Sequence, residues 1–147
     1  MAEEPSFRIR KFVAGDINQI LDIEKKSFPK TPYTKTTFLN YANRLPDSFI
    51  VVETGDVIVG YIIFDVSGHI HSTAVKTEYR KKGFGKRLFG HVLRRVERNL
   101  WLEVRSKNRA AIAFYKKMGM KIVDINTDYY GDDDALIMVL NRSTRVI

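Results

Sequence analysis

Arg80-Lys81-Lys82-Gly83-Phe84-Gly85-Lys86-Arg87-Leu88-Phe89 decides how this chain is read. It follows the strand-like run His69-Ile70-His71-Ser72-Thr73-Ala74-Val75. It opens a helix whose apolar residues fall at Phe84, Leu88, Phe89, Val92, Leu93 and Val96, a helical period. The order is strand, short basic glycine-containing turn, helix. The first N–H groups of a helix have no partner within it, and the helix dipole places partial positive charge there. Gly83 and Gly85 lack a Cβ, so phosphate oxygens can approach the backbone closely. Arg80, Lys81, Lys82 and Lys86 add cationic charge at the same point. The segment reads either as a plain surface turn with basic flanks or as a site for a phosphorylated ligand.

Two common phosphate motifs are excluded. A P-loop needs Ser or Thr after its Gly-Lys pair, and here Gly85-Lys86 is followed by Arg87. A dinucleotide-binding turn needs a third glycine where this chain has Leu88. What remains is R-x-x-G-x-G from Arg80 to Gly85. This resembles the pyrophosphate-binding signature of the GCN5-related N-acetyltransferases (GNAT), which bind acetyl-coenzyme A.

Composition sets the bounds. A chain of 147 residues suits one domain spanning residues 1–147, with a substantial core. A hydrophobic content of 44% with 12% aromatics argues against disorder. No apolar run approaches the ~20 residues needed to span a bilayer. The opening Met1-Ala2-Glu3-Glu4 is acidic and lacks a secretory signal's apolar segment. The absence of cysteine excludes disulfides and thiol chemistry and fits a cytoplasmic protein. The net charge of +8 suits a ribosomal neighbourhood, a nucleic acid, or a polyanionic small ligand such as coenzyme A. The basic residues concentrate in Arg80–Arg98.

Phe7–Lys11 reads as an alternating strand. Gly15-Asp16 offers a cap for a helix with Ile17, Ile20, Leu21, Glu24 and Phe28 on one stripe, ended by Pro29 and Pro32. A second short helix spans about Thr34–Arg44. Phe49–Glu53 and Val57–Val66 form a hairpin around Thr54-Gly55-Asp56. His69–Val75, Leu100–Val104, Lys121–Tyr130 and Ala135–Leu140 read as strands, the last two as a hairpin around Gly131-Asp132-Asp133. Asn108–Met118 is a helix ended by Gly119. The order βααβββαβαββ predicts an α/β (α+β) protein, with a mixed, mostly antiparallel sheet of about seven strands and helices on both faces.

That order is also the order of the GNAT fold, and three further segments match the family in sequence. Leu102-Glu103-Val104-Arg105, then Asn108-Arg109-Ala110-Ala111 through Tyr115, Lys117 and Gly119, is similar to the family's LEVR..N..A...Y.K.GF block. Tyr129-Tyr130, followed by Asp134-Ala135 and Met138, resembles the YY....DA..M ending of protein N-terminal acetyltransferases. Ser27-Phe28-Pro29, with Pro32-Tyr33-Thr34 and Phe38, is similar to the FP..PW(S/T)...F entry loop of the RimI-like subgroup. Tyr33 replaces the usual Trp and Met120 the usual Phe. The resemblance covers nearly the whole chain.

Strand alternation puts Trp101, Glu103 and Arg105 on one face and Leu102 and Val104 on the other. Glu103 is then either a paired carboxylate, bound to Arg105 or another base, or a general base. An α-amine of pKa about 7.7–8.0 is largely protonated near neutral pH and needs such an acceptor. The resemblance implies the base. It also implies that Tyr115, otherwise a core phenol, is the acid that protonates the departing thiolate. Asn108 is an N-cap, and the resemblance adds a coenzyme A contact. With these it implies a cofactor site of Thr73, Ala74, Val75, Arg80, Lys81, Lys82, Gly83, Phe84, Gly85, Lys86, Asn108 and Tyr115. The cofactor would lie in the gap beside the fourth and fifth strands. The implied substrate side is Phe28, Pro29, Tyr33, Glu24, Tyr129 and Tyr130. Glu24 serves equally as a boundary residue, and the tyrosines as core or hairpin aromatics.

No metal is expected. The His69-x-His71 pair has no cysteine or third histidine at ligand spacing, and Asp132-Asp133-Asp134 lacks a calcium-loop pattern and reads as a solvated turn. The expectation is an acetyl-coenzyme A-dependent N-acetyltransferase of a protein N-terminus, a ribosomal protein among the candidates. No membrane or specific nucleic-acid partner is expected, and the oligomeric state is open. The alternatives are an acetyltransferase of small amines or lysine side chains, and a non-catalytic RNA- or ribosome-binding module.

Overall fold

The computed structural model describes residues 6–142. The acidic opening Met1–Glu4 and the ends of the 1–147 span lie outside the described residues. The described chain forms two compact units. One comprises the residues up to Phe64 with Ser72–Val92, the other Asp65–His71 with the residues from Leu93 onward. The elements follow the expected order: β1 (Arg8–Lys11), α1 (Ile17–Ser27), α2 (Lys35–Arg44), β2 (Phe49–Thr54), β3 (Val57–Phe64), β4 (Ile70–Val75), α3 (Phe84–Arg95), β5 (Leu100–Arg105), α4 (Arg109–Lys117), β6 (Lys121–Asn126) and β7 (Ala135–Leu140). No helix among the described residues is long and apolar enough to cross a membrane.

The first unit is built on a sheet of order β1-β2-β3-β4. β1 and β3 both pair antiparallel with β2. β3 is an interior strand and is buried over nearly its whole length, which its run of Ile, Val, Tyr and Phe satisfies. Period-2 alternation sends successive residues of β3 to opposite faces. Tyr61 reaches Glu24 of α1, while a Cβ on Gly60 would meet Leu88 of α3 at 3.3 Å. The helices therefore cover both faces of this sheet. The core under α1 and α2 joins Ile17, Ile20, Ile23, Phe38, Phe49, Val51, Ile58, Tyr61 and Ile63. The buried stripe of α1 uses Ile23, whereas Leu21 and Phe28, expected on it, are only half-buried.

The second unit carries a sheet of order β5-β7-β6. β7 pairs antiparallel with β5 from Leu100↔Leu140 to Arg105↔Ala135, and with β6 on its other side. β5 alternates buried and half-buried positions, with Leu100, Leu102 and Val104 inside. Asn108 caps α4, its side chain accepting the Ala111 N–H at 3.2 Å, and Gly119 follows the helix at φ 101°, a left-handed stop suited to glycine.

Two local expectations are corrected. Asp16 precedes α1 as expected, but its side chain makes no cap bond to the helix. Instead it accepts the Arg10 guanidinium through both oxygens (2.8 and 2.9 Å) and the Val13 N–H at 2.9 Å. β6 ends at Asn126, not Tyr130. Asp128 turns to φ 56°, Gly131 N–H bonds to the Asp128 carbonyl and Tyr130 N–H to that of Asp133. These local turn bonds replace the ladder, so Tyr129 and Tyr130 lie on a loop.

The Arg10 cluster gives a pH-dependent contribution to stability. Arg10 also binds both oxygens of Glu53 at 3.1 Å. Burial pushes the Asp16 carboxyl up, but the Arg10 and Val13 bonds outweigh it and hold it below the ordinary range. The Arg10 bond does the same for Glu53. Depressed carboxylates contribute stability that is complete above their unfolded values, about 3.9 and 4.3, and lost as pH falls through the folded ones. The stability gap between wild type and Arg10→Met, followed by urea denaturation, should be widest near neutral pH and narrow below about pH 4. A gap independent of pH would contradict this assignment.

Candidate active site

The basic turn lies wholly in the first unit. After β4, Lys76 N–H bonds to the Val59 carbonyl at 2.7 Å, and a 3₁₀ turn spans Thr77–Tyr79. Lys81 and Gly83 then adopt φ of 62° and 88°. The first helical bond of α3 runs from Arg87 N–H to the Gly83 carbonyl at 3.0 Å. The N–H groups of Phe84, Gly85 and Lys86 therefore have no acceptor within the helix. Phe84 is buried against Phe7 and Tyr79, which anchors this helix start. Lys81, Lys82, Gly83 and Lys86 are exposed, with the Lys82 ammonium 5.5 Å from the Tyr79 ring centre. Arg80 turns back, donating to the Val75 carbonyl at 3.1 Å and to Ser27 Oγ at 3.4 Å. Here it latches the turn. Thr73, Ala74 and Val75 are half-buried at the end of β4, with Thr73 Oγ1 donating to the Tyr61 carbonyl.

Glu24 is buried, 2% exposed. Its Oε2 accepts the Tyr33 N–H at 2.8 Å and its Oε1 the Tyr61 hydroxyl; Tyr61 also bonds Ser72 Oγ at 3.0 Å. Burial drives the Glu24 carboxyl above its ordinary value, against the lowering effect of these two bonds. The boundary reading of Glu24 therefore gives way to a buried anchor that ties the segment after α1 to β3. Tyr33 packs edge-on against Phe38 at 5.7 Å. Phe28 N–H bonds to the Glu24 carbonyl, and Pro29 is exposed. Tyr61, which completes this centre, escaped sequence reading because a tyrosine in an apolar strand looks like packing alone.

In the second unit Glu103 is half-buried on β5, and its partner is His69, not Arg105. His69 Nε2 lies 2.8 Å from Glu103 Oε2. A carboxylate only accepts, so His69 is the donor. That bond outweighs burial and holds the Glu103 carboxyl below the usual range. The His69 ring stacks on Trp101, centroids 3.8 Å apart and planes within 5°. His71 Nε2 donates to Asp65 Oδ2 at 2.7 Å, and the two imidazole centroids are 4.1 Å apart. Asp65, unremarked in the sequence, closes the turn that carries His69: Asp65 N–H bonds to the His69 carbonyl at 3.0 Å.

Tyr115 is buried on α4, and desolvation, aided by Tyr130, pushes its phenol well above the ordinary value. It keeps its proton at any physiological pH. Tyr129 is exposed and meets the half-buried Tyr130 edge-on at 4.9 Å. Arg105 sits over the Tyr130 ring at 4.2 Å and bonds Asp132 at 2.9 Å. Asp133 is buried and accepts from Ser106 Oγ and the Lys107 N–H. Asp134 accepts the Asp128 N–H. The side chains of Asp132 and Asp133 thus tie the tyrosine loop to the end of β5 and the connection to α4, and that of Asp134 closes the loop on itself, in place of the solvated turn expected.

The model of the acetyltransferase (GNAT) family matches residues 17–120. An N-alpha-acetyltransferase of Sulfurisphaera tokodaii is 30% identical over 153 aligned positions, covering 90% of this chain and 91% of that protein. The ribosomal protein bS18-alanine N-acetyltransferase of Escherichia coli is 30% identical, covering 74% and 80%. The crystal structure of Ard1 from Thermoplasma volcanium superposes with a TM-score of 0.83 at 29% identity, covering 92% and 97%.

The turn that aims His69 depends on Gly68, at φ 100°, where a Cβ would lie 2.0 Å from the Asn99 carbonyl oxygen. The Gly68 carbonyl also accepts the Trp101 N–H at 2.9 Å. Gly68→Ala should destabilise the protein on the order of 2–4 kcal/mol in denaturant titration, from a strained φ and a backbone clash. A change within about 0.5 kcal/mol, the range of a neutral surface substitution, would contradict the close approach.

Proposed function

This chain belongs to the GNAT acetyltransferase family, and from that premise we propose that it transfers the acetyl group of acetyl-coenzyme A to the α-amine of a protein N-terminus. The observation that carries the reading is the Glu103 carboxylate held by His69 at 2.8 Å, with the buried Tyr115 phenol in the same unit, in a chain whose relatives are named for N-alpha-acetylation. We read the two units as one acetyltransferase domain, since the family's span includes residues of both.

In this reading the exposed turn Lys81–Lys86 receives the coenzyme's pyrophosphate. Its backbone donors at the start of α3 and its lysines suit a dianionic group. A backbone N–H of Thr73–Val75 polarises the thioester carbonyl. With no cysteine in the chain, the amine attacks the thioester directly. As the C–N bond forms, the nitrogen becomes strongly acidic, and Glu103 takes its proton while His69 keeps the carboxylate oriented. The C–S bond then breaks. Tyr115 passes its proton to the departing thiolate and at once regains one from solvent, into which Glu103 releases the proton it took, so both groups return to their starting states. For the peptide's first residues the family resemblance assigns Phe28, Pro29 and Tyr33 in the first unit, where Glu24 accepts the Tyr33 N–H, and Tyr129 and Tyr130 in the second. A ribosomal protein is a candidate substrate, as the E. coli relative's name indicates, which would place the reaction in the cytoplasm.

An α-amine of pKa about 7.7–8.0 is also easier to deprotonate than a lysine ε-amine of about 10.4. With acetyl-coenzyme A, an unblocked peptide should gain one acetyl group far faster than the same peptide N-terminally blocked and carrying an internal lysine, as followed by mass spectrometry. Faster reaction of the blocked peptide would transfer the assignment to lysine or small amines. Tyr115→Phe should lower kcat by about 10²-fold with acetyl-coenzyme A affinity nearly unchanged. Unaltered kcat would return Tyr115 to a packing role.

A further inference from the structure

We propose that Asp65, His69 and His71 form a binding site for a divalent transition-metal ion. The donor atoms of the three lie within 4.8 Å of one another. Donors sharing one zinc ion at about 2.0–2.2 Å stand roughly 3–4 Å apart, so the group has to close by about an ångström. Two imidazoles with a carboxylate suit zinc, nickel, cobalt or copper rather than the all-oxygen cations.

The ligands are preorganised. Asp65 and His69 belong to one hydrogen-bonded turn. The Ser67 N–H, at 2.9 Å, and hydroxyl hold Asp65 Oδ1, which leaves Oδ2 as the donor facing His71. Such outer bonds orient metal-binding carboxylates. Stacking on Trp101 fixes the His69 ring. His71, two residues along β4, shares the strand face of His69, so the imidazoles are neighbours. Burial, resisted by Asp65, lowers the His71 pKa and keeps it neutral, the form that ligates. Asp65 and Glu103 are both held ionised, an anionic spot in a chain of net charge +8. The side chains remain 16–25% exposed, open enough for an ion to enter. The ion would take one ring nitrogen from each imidazole, releasing or relocating any proton on it.

One consequence rests on the acetyl-transfer reading: an ion that captures the His69 ring disturbs the 2.8 Å bond that orients Glu103, so metal binding inhibits acetyl transfer. The binding itself does not depend on that reading.

The chain suits a direct test, because it has three histidines and no cysteine. Untagged protein is titrated with zinc while the imidazole signals are followed by NMR. Those of His69 and His71 should shift together, and that of His91, set against Phe64, should not. Calorimetry should show zinc affinity reduced by at least about tenfold in His71→Gln and in Asp65→Asn. Unmoved His69 and His71 signals in the wild type, or equal affinity in wild type and both variants, would overturn the site. Zinc should also slow acetylation by wild type more than by His71→Gln. Equal slowing, or none while the signals shift, would overturn the inhibition, and acetylation measured without metal stands or falls separately.

Discussion

A half-buried carboxylate must be paired, and the second unit is arranged around pairing Glu103. Leaving such a charge without a partner costs more than most single contacts contribute. β5 places it by alternation, with Leu102 and Val104 turned inward on either side. β7 holds β5 from Leu100 to Arg105. The partner arrives from the turn Asp65–His69, whose backbone presses so closely on Asn99 that Gly68 admits no side chain. Trp101, two residues before Glu103 on the same face, stacks beneath the His69 ring. The bond at 2.8 Å results from these constraints acting together.

Glu24 in the first unit shows what environment does to the same chemical group. It is more deeply buried and has neutral donors, a backbone N–H and a phenol. Burial prevails and its pKa rises, whereas the His69 bond prevails at Glu103 and its pKa falls. Carboxyls pushed in opposite directions take different roles. Glu24 holds an anchor between α1, Tyr33 and β3. Glu103 stays ionised on a half-buried face of β5.

The elements were legible because their apolar periods are clean, and the strand–turn–helix around Gly83 and Gly85 was legible because backbone chemistry there is local. The face of Glu103 followed from alternation alone. Its partner did not, since His69 is 34 residues away and Arg105 was the nearer candidate; Arg105 instead binds Asp132. Asp16 sat where a cap belongs, but Arg10 across the turn offered two charged bonds. β6 stopped short of Tyr130 because Asp132 and Asp133 fasten the loop by tertiary bonds to Arg105, Ser106 and Lys107, which no local propensity encodes, and Asp134 closes the loop on Asp128. The clustering of Asp65 with the two histidines likewise depends on a turn whose closure appears only in three dimensions.

The central claim is that the His69-held Glu103 carboxylate takes the proton of the attacking amine. The most direct test is Glu103→Gln, which keeps the shape and removes the charge, assayed by single turnover on an unblocked peptide with acetyl-coenzyme A affinity measured in parallel. The account predicts a rate lower by about 10²-fold or more with affinity nearly unchanged. A variant that turns over at the wild-type rate would contradict it.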